Sequence, residues 1–248
     1  MATNRAKYLK KESIIMGVSE ELKQEAANLN GASAEDVFKW SFKAFGDTVK
    51  IASSFGAEDV VLIDIAAKIN PNVKVFTLDT GRLAQETYDV IDAVNKKYGI
   101  KTEFFCPDGK ALEEASNELG ANFFFDSVEM RKKCCGLRKM EPLGRAMGSL
   151  DAWVCGLRKE QSVTRADINK VEFFDGKPAK INPLTEWSEQ DVWDYIRINE
   201  VPYNKLHDKG YPSIGCICCT RPVTCVEDVR AGRWWWESPE SKECGLHK

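Results

Sequence analysis

The chain has 248 residues, 43% hydrophobic and 29% charged, enough apolar material for one large buried core. Its formal charge of −3 gives no global attraction to nucleic acid or to an anionic membrane surface. The opening Met1 to Lys7 lacks the apolar core of a signal peptide. The longest apolar stretch, Val60 to Ala67, is broken by Asp64 and too short to cross a bilayer, so a cytoplasmic protein is expected.

Helices are predicted from Ser19 to Leu29 and from Ala34 to Ala44, with Ser33 and Asp36 spaced as a cap for the second. They make up an opening segment, 1–46. A strand over Val49 to Ala52 follows, then a Ser-Gly turn and a helix from Glu58 to Ile69. Val73 to Leu78 is the next strand, and a helix runs on to about Tyr98. Lys101 to Phe105 is a third strand and Ala111 to Leu119 a further helix. A long helical stretch covers Val128 to Met147 before a strand over Ala152 to Cys155. After Glu186 come a helix from Gln190 to Ile198, a Pro/Gly-rich loop with cysteines, and a polar tail. Alternation of this kind specifies an α/β fold, a mostly parallel twisted sheet with helices on both faces. Ligands of such sheets bind outside the carboxyl ends of the strands, which singles out the loops starting at Ser53, Asp79 and Gly156.

Those loops have the right chemistry for an anion. Ser53-Ser54-Phe55-Gly56 turns a strand into a helix, and its small residues let the backbone N–H groups approach a phosphate. No Gly-Lys-Ser/Thr follows, so it is not a Walker loop. Asp79-Thr80-Gly81-Arg82 closes the second strand, where Asp79 also suits a helix cap. Gly156 to Arg165 places three cations and two hydroxyls after the fourth strand, and the planar guanidinium of Arg158 matches phosphate or sulfate oxygens.

The nine cysteines carry the most information. An odd number without an export signal argues for metal or redox chemistry over a disulfide framework. Cys134 and Cys135 are adjacent, with Cα atoms about 3.8 Å apart, closer than the roughly 4.4–6.8 Å of ordinary disulfides. With Cys216 and Cys219 they form a four-thiolate set able to hold zinc or a [4Fe–4S] cluster, and the adjacent pair favours iron–sulfur. Lys139 lies four residues after Cys135, on the same side of a continuous helix. Arg230 to Trp236 holds two arginines and three consecutive tryptophans, which suit a segment anchored against the body. Glu243-Cys244-Gly245-Leu246-His247 follows, with a thiol four residues from Lys248.

Lys133-Cys134-Cys135-Gly136-Leu137-Arg138-Lys139, Gly215-Cys216-Ile217-Cys218-Cys219-Thr220-Arg221-Pro222, the two nucleotide-type loops and the Glu243 to His247 ending together resemble the assimilatory adenylyl-sulfate (APS) reductases, within the APS/PAPS reductase family. The likeness runs from about Thr48 to Lys248. It implies an adenine nucleotide alpha hydrolase-like fold, a reductase domain over 47–236 and a catalytic tail over 237–248. It further implies thioredoxin-dependent reduction of adenosine 5′-phosphosulfate to sulfite and AMP, with Cys244 as nucleophile and a [4Fe–4S] cluster on Cys134, Cys135, Cys216 and Cys219. Lys139 would link cluster and substrate electrostatically. Ser53, Ser54, Phe55, Gly56, Asp79, Thr80, Gly81, Arg82, Arg158, Arg230 and Arg233 would bind the substrate. A separate thioredoxin or glutaredoxin is the expected reductant, with no nucleic acid and no membrane as partner, and a homo-oligomer stays open. Cys218 and Cys225 depart from the family pattern and leave room for a competing ligand. Reduction of the 3′-phosphorylated substrate or of both substrates, a tRNA-thiolating iron–sulfur enzyme, and a non-enzymatic redox sensor are the alternatives.

Overall fold

The computed structural model describes residues 18–161, 165, 167–224 and 228–238, so Cys225, Cys244 and His247 lie outside the described residues. Helices α1 (Glu20–Ala27) and α2 (Ala34–Phe45) come first, capped by the Ser19 and Ser33 hydroxyls, which accept from the Leu22 and Asp36 N–H groups. Then β1 (Val49–Ala52), α3 (Ala57–Ile69), β2 (Val75–Leu78), α4 (Gln85–Tyr98) and β3 (Glu103–Phe105) alternate. Helices α5 (Gly109–Leu119), α6 (Val128–Cys135) and α7 (Glu141–Met147) precede β4 (Ala152–Val154). Strands β5 (Val171–Phe174) and β6 (Lys177–Ile181) and helix α8 (Glu189–Ile198) follow.

The six strands form one sheet in the order β3-β2-β1-β4-β6-β5, with every pairing parallel except that of the edge strand β5 with β6. The chain winds outward from β1 to β3, then returns to lay β4 on the other side of β1. That reversal opens a crevice between the loops after β1 and β4. Alternation along the strands sorts two faces. Val49, Ile51, Val75, Ala152 and Val154 enter the main core with residues of α2, α3, α4 and α8. Phe76, Leu78 and Trp153 point the other way, to Leu143, Ala146 and Met147 of α7. Val37 and Phe38 of α2 belong to the main core too, so no break in packing separates the opening helices from the sheet.

Two elements differ from the sequence reading. The hairpin of β5 and β6 was not among the predicted elements, although Asp175-Gly176 between two apolar runs is a hairpin turn signal, and Gly176 takes the positive φ of 65° that such turns require. The expected continuous helix from Val128 to Met147 is instead broken by a π-helical turn over Gly136–Met140, where the Glu141 N–H bonds to the Gly136 carbonyl. Pro142 explains the break: it lacks an N–H, and its ring would clash with the Arg138 carbonyl in a regular α-helix.

Candidate active site

A cleft of about 390 Å³ lies at the carboxyl ends of the central strands, at the topological reversal. Its wall after β1 is Ser53, Ser54 and Gly56. Asp59, in the first turn of α3, accepts from the Ser54 N–H (2.6 Å) and hydroxyl (2.8 Å) and so sets the shape of this loop. Burial pushes the Asp59 carboxyl up to about 6, against the opposing pull of the Ser54 hydrogen bonds. Phe55 takes a left-handed backbone (φ 59°), and its fully buried side chain belongs to the main core. Its ring therefore faces away from the cleft, and what Phe55 offers a ligand is confined to its backbone.

The loop after β4 completes the opposite wall with Cys155, Gly156, Leu157 and Arg158. Glu58 Oε1 accepts from Arg158 Nε (2.9 Å) and Gln161 Nε2 (2.9 Å), so the Arg158 charge is already matched at the cleft wall. A Cβ on Gly156 would sit 2.7 Å from Glu58 Cβ and 2.9 Å from Asp59 Oδ1, which makes the close approach of the two walls dependent on glycine. Cys155 donates to Asn182 Oδ1 (3.1 Å), and burial pushes its thiol up to about 12, so it stays protonated at neutral pH.

The loop after β2 acts differently from its expected role. Only Thr80 of Asp79, Thr80, Gly81 and Arg82 reaches the cleft. Asp79 accepts from the Gly81 N–H and the Tyr88 hydroxyl, turning the chain into α4. Arg82 turns to the cysteines: its guanidinium lies 4.6 Å from the Phe124 ring centre and 3.7 Å from Cys218 Sγ, and its carbonyl accepts from the Ile217 N–H (2.8 Å). Thr80 Oγ1 accepts from the Cys216 thiol (3.2 Å) and the Thr80 carbonyl from Arg138 (2.6 Å). The loop is thus a seat for the cysteine-bearing turn, and sequence reasoning missed this because Arg82 and Cys218 are 136 residues apart.

Cys134, Cys135, Cys216 and Cys219 are all buried and share one apolar cluster with Phe123, Phe124 and Trp234. Together with Cys218 they line a second, small cavity that Arg82, Arg131 and Arg138 also border. Among the described residues, no three His, Cys, Asp or Glu side chains converge closely enough to hold a single metal ion. The four thiols line this one small cavity, and the surrounding guanidinium groups suit the negative charge of four thiolates. Burial, against the opposing pull of Arg138 and Arg82, pushes the Cys134 thiol up, so loading such a site would release protons. Lys139, Cys216, Arg233 and Trp234 border both cavities and form the wall between them. Arg230 also lines the cleft, while Arg233 is buried and donates to the Ile214 carbonyl (3.2 Å).

The model of the phosphoadenosine phosphosulfate reductase domain family matches residues 48–222. The chain belongs to this reductase family. Among its reductase relatives, the adenosine 5′-phosphosulfate reductase of Allochromatium vinosum is 51% identical over 203 residues, 82% of this chain and 79% of that protein. The protein of the same name from Pseudomonas aeruginosa strain LESB58 is 48% identical over 230 residues, 90% and 85% of the two chains. The crystal structure of the phosphoadenylyl-sulfate reductase of Candida auris, a phosphate complex, superposes with a TM-score of 0.71 at 28% identity, over 83% of this chain and 98% of that one. Candida glabrata FMN adenylyltransferase in complex with ATP, at 12% identity and TM-score 0.54, covers 94% of this chain and 80% of that one, and shares the fold alone. In this reductase chain Asp59, Glu58 and His207 are cleft residues that the sequence reading did not single out. His207 sits edge-on to Trp193, with burial holding it below the usual imidazole range. Acidic residues in the first turn of a helix are a helix-start signal that marks Glu58 and Asp59; nothing local marks His207.

Proposed function

We propose that this chain reduces adenosine 5′-phosphosulfate to sulfite and AMP in assimilatory sulfate reduction, with Cys244 as nucleophile and a protein dithiol such as thioredoxin or glutaredoxin as reductant. The observation that carries the reading is the wall of Lys139, Cys216 and Arg233 shared by the nucleotide-type cleft and the cysteine cavity. The names of the 44–51% identical relatives support APS over its 3′-phosphorylated form.

In the first step the Cys244 thiolate attacks the sulfur of the substrate's sulfonyl group. The bond from that sulfur to the phosphate oxygen breaks, AMP leaves with the electron pair, and an S-sulfocysteine remains. In the second, a thiolate of the carrier attacks the Cys244 sulfur and sulfite leaves with the pair of the broken S–S bond. The carrier's second thiol then resolves the mixed disulfide, leaving the carrier oxidised and Cys244 restored. The Ser53 hydroxyl would present a donor to the α-phosphate, and Gly56 would let the chain approach it, on a loop whose shape the Ser54 N–H and hydroxyl hold through Asp59. Lys139, Arg230 and Arg233 would stabilise the charge that develops on the sulfonyl and phosphate oxygens, and Arg158, held by Glu58, would brace the wall. Cys134, Cys135, Cys216 and Cys219 would hold a [4Fe–4S] cluster, which would supply a fixed charge beside Lys139 and not electrons, since both electrons come from thiols.

Among the described residues no helix is long and apolar enough to cross a membrane. The cytoplasm, where thiols are kept reduced, suits both the carrier and nine cysteines without a disulfide framework. The test is anaerobic protein incubated with APS and no carrier. The peptide holding Cys244 should gain the mass of one sulfonate, and later addition of thioredoxin should release sulfite. Label on another cysteine, or a higher kcat/KM for the 3′-phosphorylated substrate, would overturn the assignment.

A further inference from the structure

The fully buried ion pair between Arg131 and Glu237 lies outside the cleft, borders the cysteine cavity through Arg131, and stands at the start of the tail. Arg131 Nε donates to Glu237 Oε1 (2.8 Å) and its second terminal nitrogen to Oε2 (2.7 Å), a two-pronged pair whose side chains are each 1% exposed. Arg131 stands on α6, three and four residues before Cys134 and Cys135, and its guanidinium also interacts with the Cys135 thiol. The same guanidinium lies 4.6 Å from the Trp234 ring centre, and that of Arg233 lies 4.8 Å from it.

The segment that carries Glu237 is pinned at its other end to the second pair of cysteines. The Trp234 N–H donates to the Cys219 carbonyl (3.1 Å), Thr220 and Arg233 form an antiparallel bridge, and the Glu237 N–H closes a turn on the Trp234 carbonyl (2.8 Å). Trp234 holds a left-handed backbone (φ 42°), a conformation that a bulky residue keeps only where its surroundings enforce it. Residues 234–237 therefore form a strap from Cys219 to the helix of Cys134 and Cys135. Cys244 follows Glu237 by seven residues, an extended reach of at most about 25 Å. A buried charge pair is a poor means of adding stability, because desolvation consumes most of its attraction, but it fixes geometry because neither charge can be left alone.

We propose that Arg131 and Glu237 are positioning residues: their clasp fixes the point and direction from which the tail leaves, registering Cys244 against the cysteine site and the cleft. The inference rests on Cys244 as the sulfonated nucleophile. It makes an intact cysteine site a condition for productive placement of the tail, since the two are joined through one helix and one strap.

The test uses anaerobically purified, cluster-containing protein. Glu237→Gln removes the charge at constant shape, Glu237→Asp keeps the charge on a shorter arm, and Arg131→Lys keeps the charge without the fork. Iron content, AMP affinity and the single-turnover rate of Cys244 sulfonation at saturating APS are measured for each. Glu237→Gln is expected to slow sulfonation by about 10- to 100-fold, with iron content and AMP affinity as in the wild type and no recovery at higher APS. Glu237→Asp should fall between. Sulfonation at the wild-type rate in a loaded Glu237→Gln chain overturns the proposal. So does parallel loss of iron, AMP binding and sulfonation in Glu237→Gln and Glu237→Asp alike, which would make the pair a brace of the fold only. Wild-type protein that leaves Cys244 unmodified overturns the function itself, a result separable from both.

Discussion

Replacing Gly156 by alanine tests whether the crevice between the β1 and β4 loops is the nucleotide site. The added methyl would sit 2.7 Å from Glu58 Cβ and 2.9 Å from Asp59 Oδ1. Apolar carbons pack best at about 3.5–4.0 Å, so the walls must part by about 1 Å on the Glu58 side. Neither neighbour can step aside cheaply. Glu58 Cβ is fixed to the first turn of α3, and the Asp59 carboxylate is held by two Ser54 hydrogen bonds. Overpacking of this kind costs about 1–3 kcal/mol, which for a chain of this size lowers the melting temperature by roughly 2–4 °C per kcal/mol. Separating the Ser53 to Gly56 loop from the Arg158 wall by about 1 Å should lower kcat/KM for APS up to about 100-fold. Thermal unfolding, AMP titration and steady-state sulfite release measure the three effects. Gly156→Ala protein that melts lower but binds AMP and turns over APS like the wild type would refute the placement of substrate between these walls. Wild-type melting would refute the steric argument.

Three further outcomes follow from the same geometry. Cys134→Ser or Cys219→Ser should abolish iron and sulfide binding, whereas Cys155→Ser, which replaces a buried thiol bonded to Asn182, and Cys106→Ser, at an exposed position, should keep the wild-type content; iron and sulfide analysis of anaerobic protein decides. Lys139→Ala should retain iron and AMP binding but lose about 100-fold or more in the sulfonation rate, measured by quenched mass analysis, because it removes a cation from the wall between the cavities. The Asp59 carboxyl is raised from its usual range to about 6, so the unfolded chain releases this proton first as pH increases. Its contribution is therefore fully present below about pH 4 and is lost as pH rises through 6, by about 3 kcal/mol; wild-type melting curves should show a decline over this window that Asp59→Asn lacks.

The parallel sheet, the Ser/Gly turn after β1 and each of the two cysteine pairs were legible in the sequence because each rests on local pattern, whereas the meeting of Cys134 and Cys135 with Cys216 and Cys219 is a product of the fold. Strand–helix alternation, a Ser/Gly turn between apolar runs, and thiols at close spacing need no distant partner to be recognised. Even the break in the helix after Cys135 had its cause in one residue, Pro142. Local pattern could not decide which way a side chain faces where two distant segments meet. Phe55 and Arg82 sit in motifs that read as substrate contacts, yet packing turns the first into the main core, and Cys218 and Phe124 draw the second to the cysteine cavity. The match of Arg158 with Glu58, 100 residues earlier, and of Arg131 with Glu237, 106 residues later, was equally out of reach. Sequence spacing carries the hydrogen-bonding and hydrophobic preferences of neighbours, whereas the desolvation that makes a buried charge seek one particular partner acts only after the chain has closed around it.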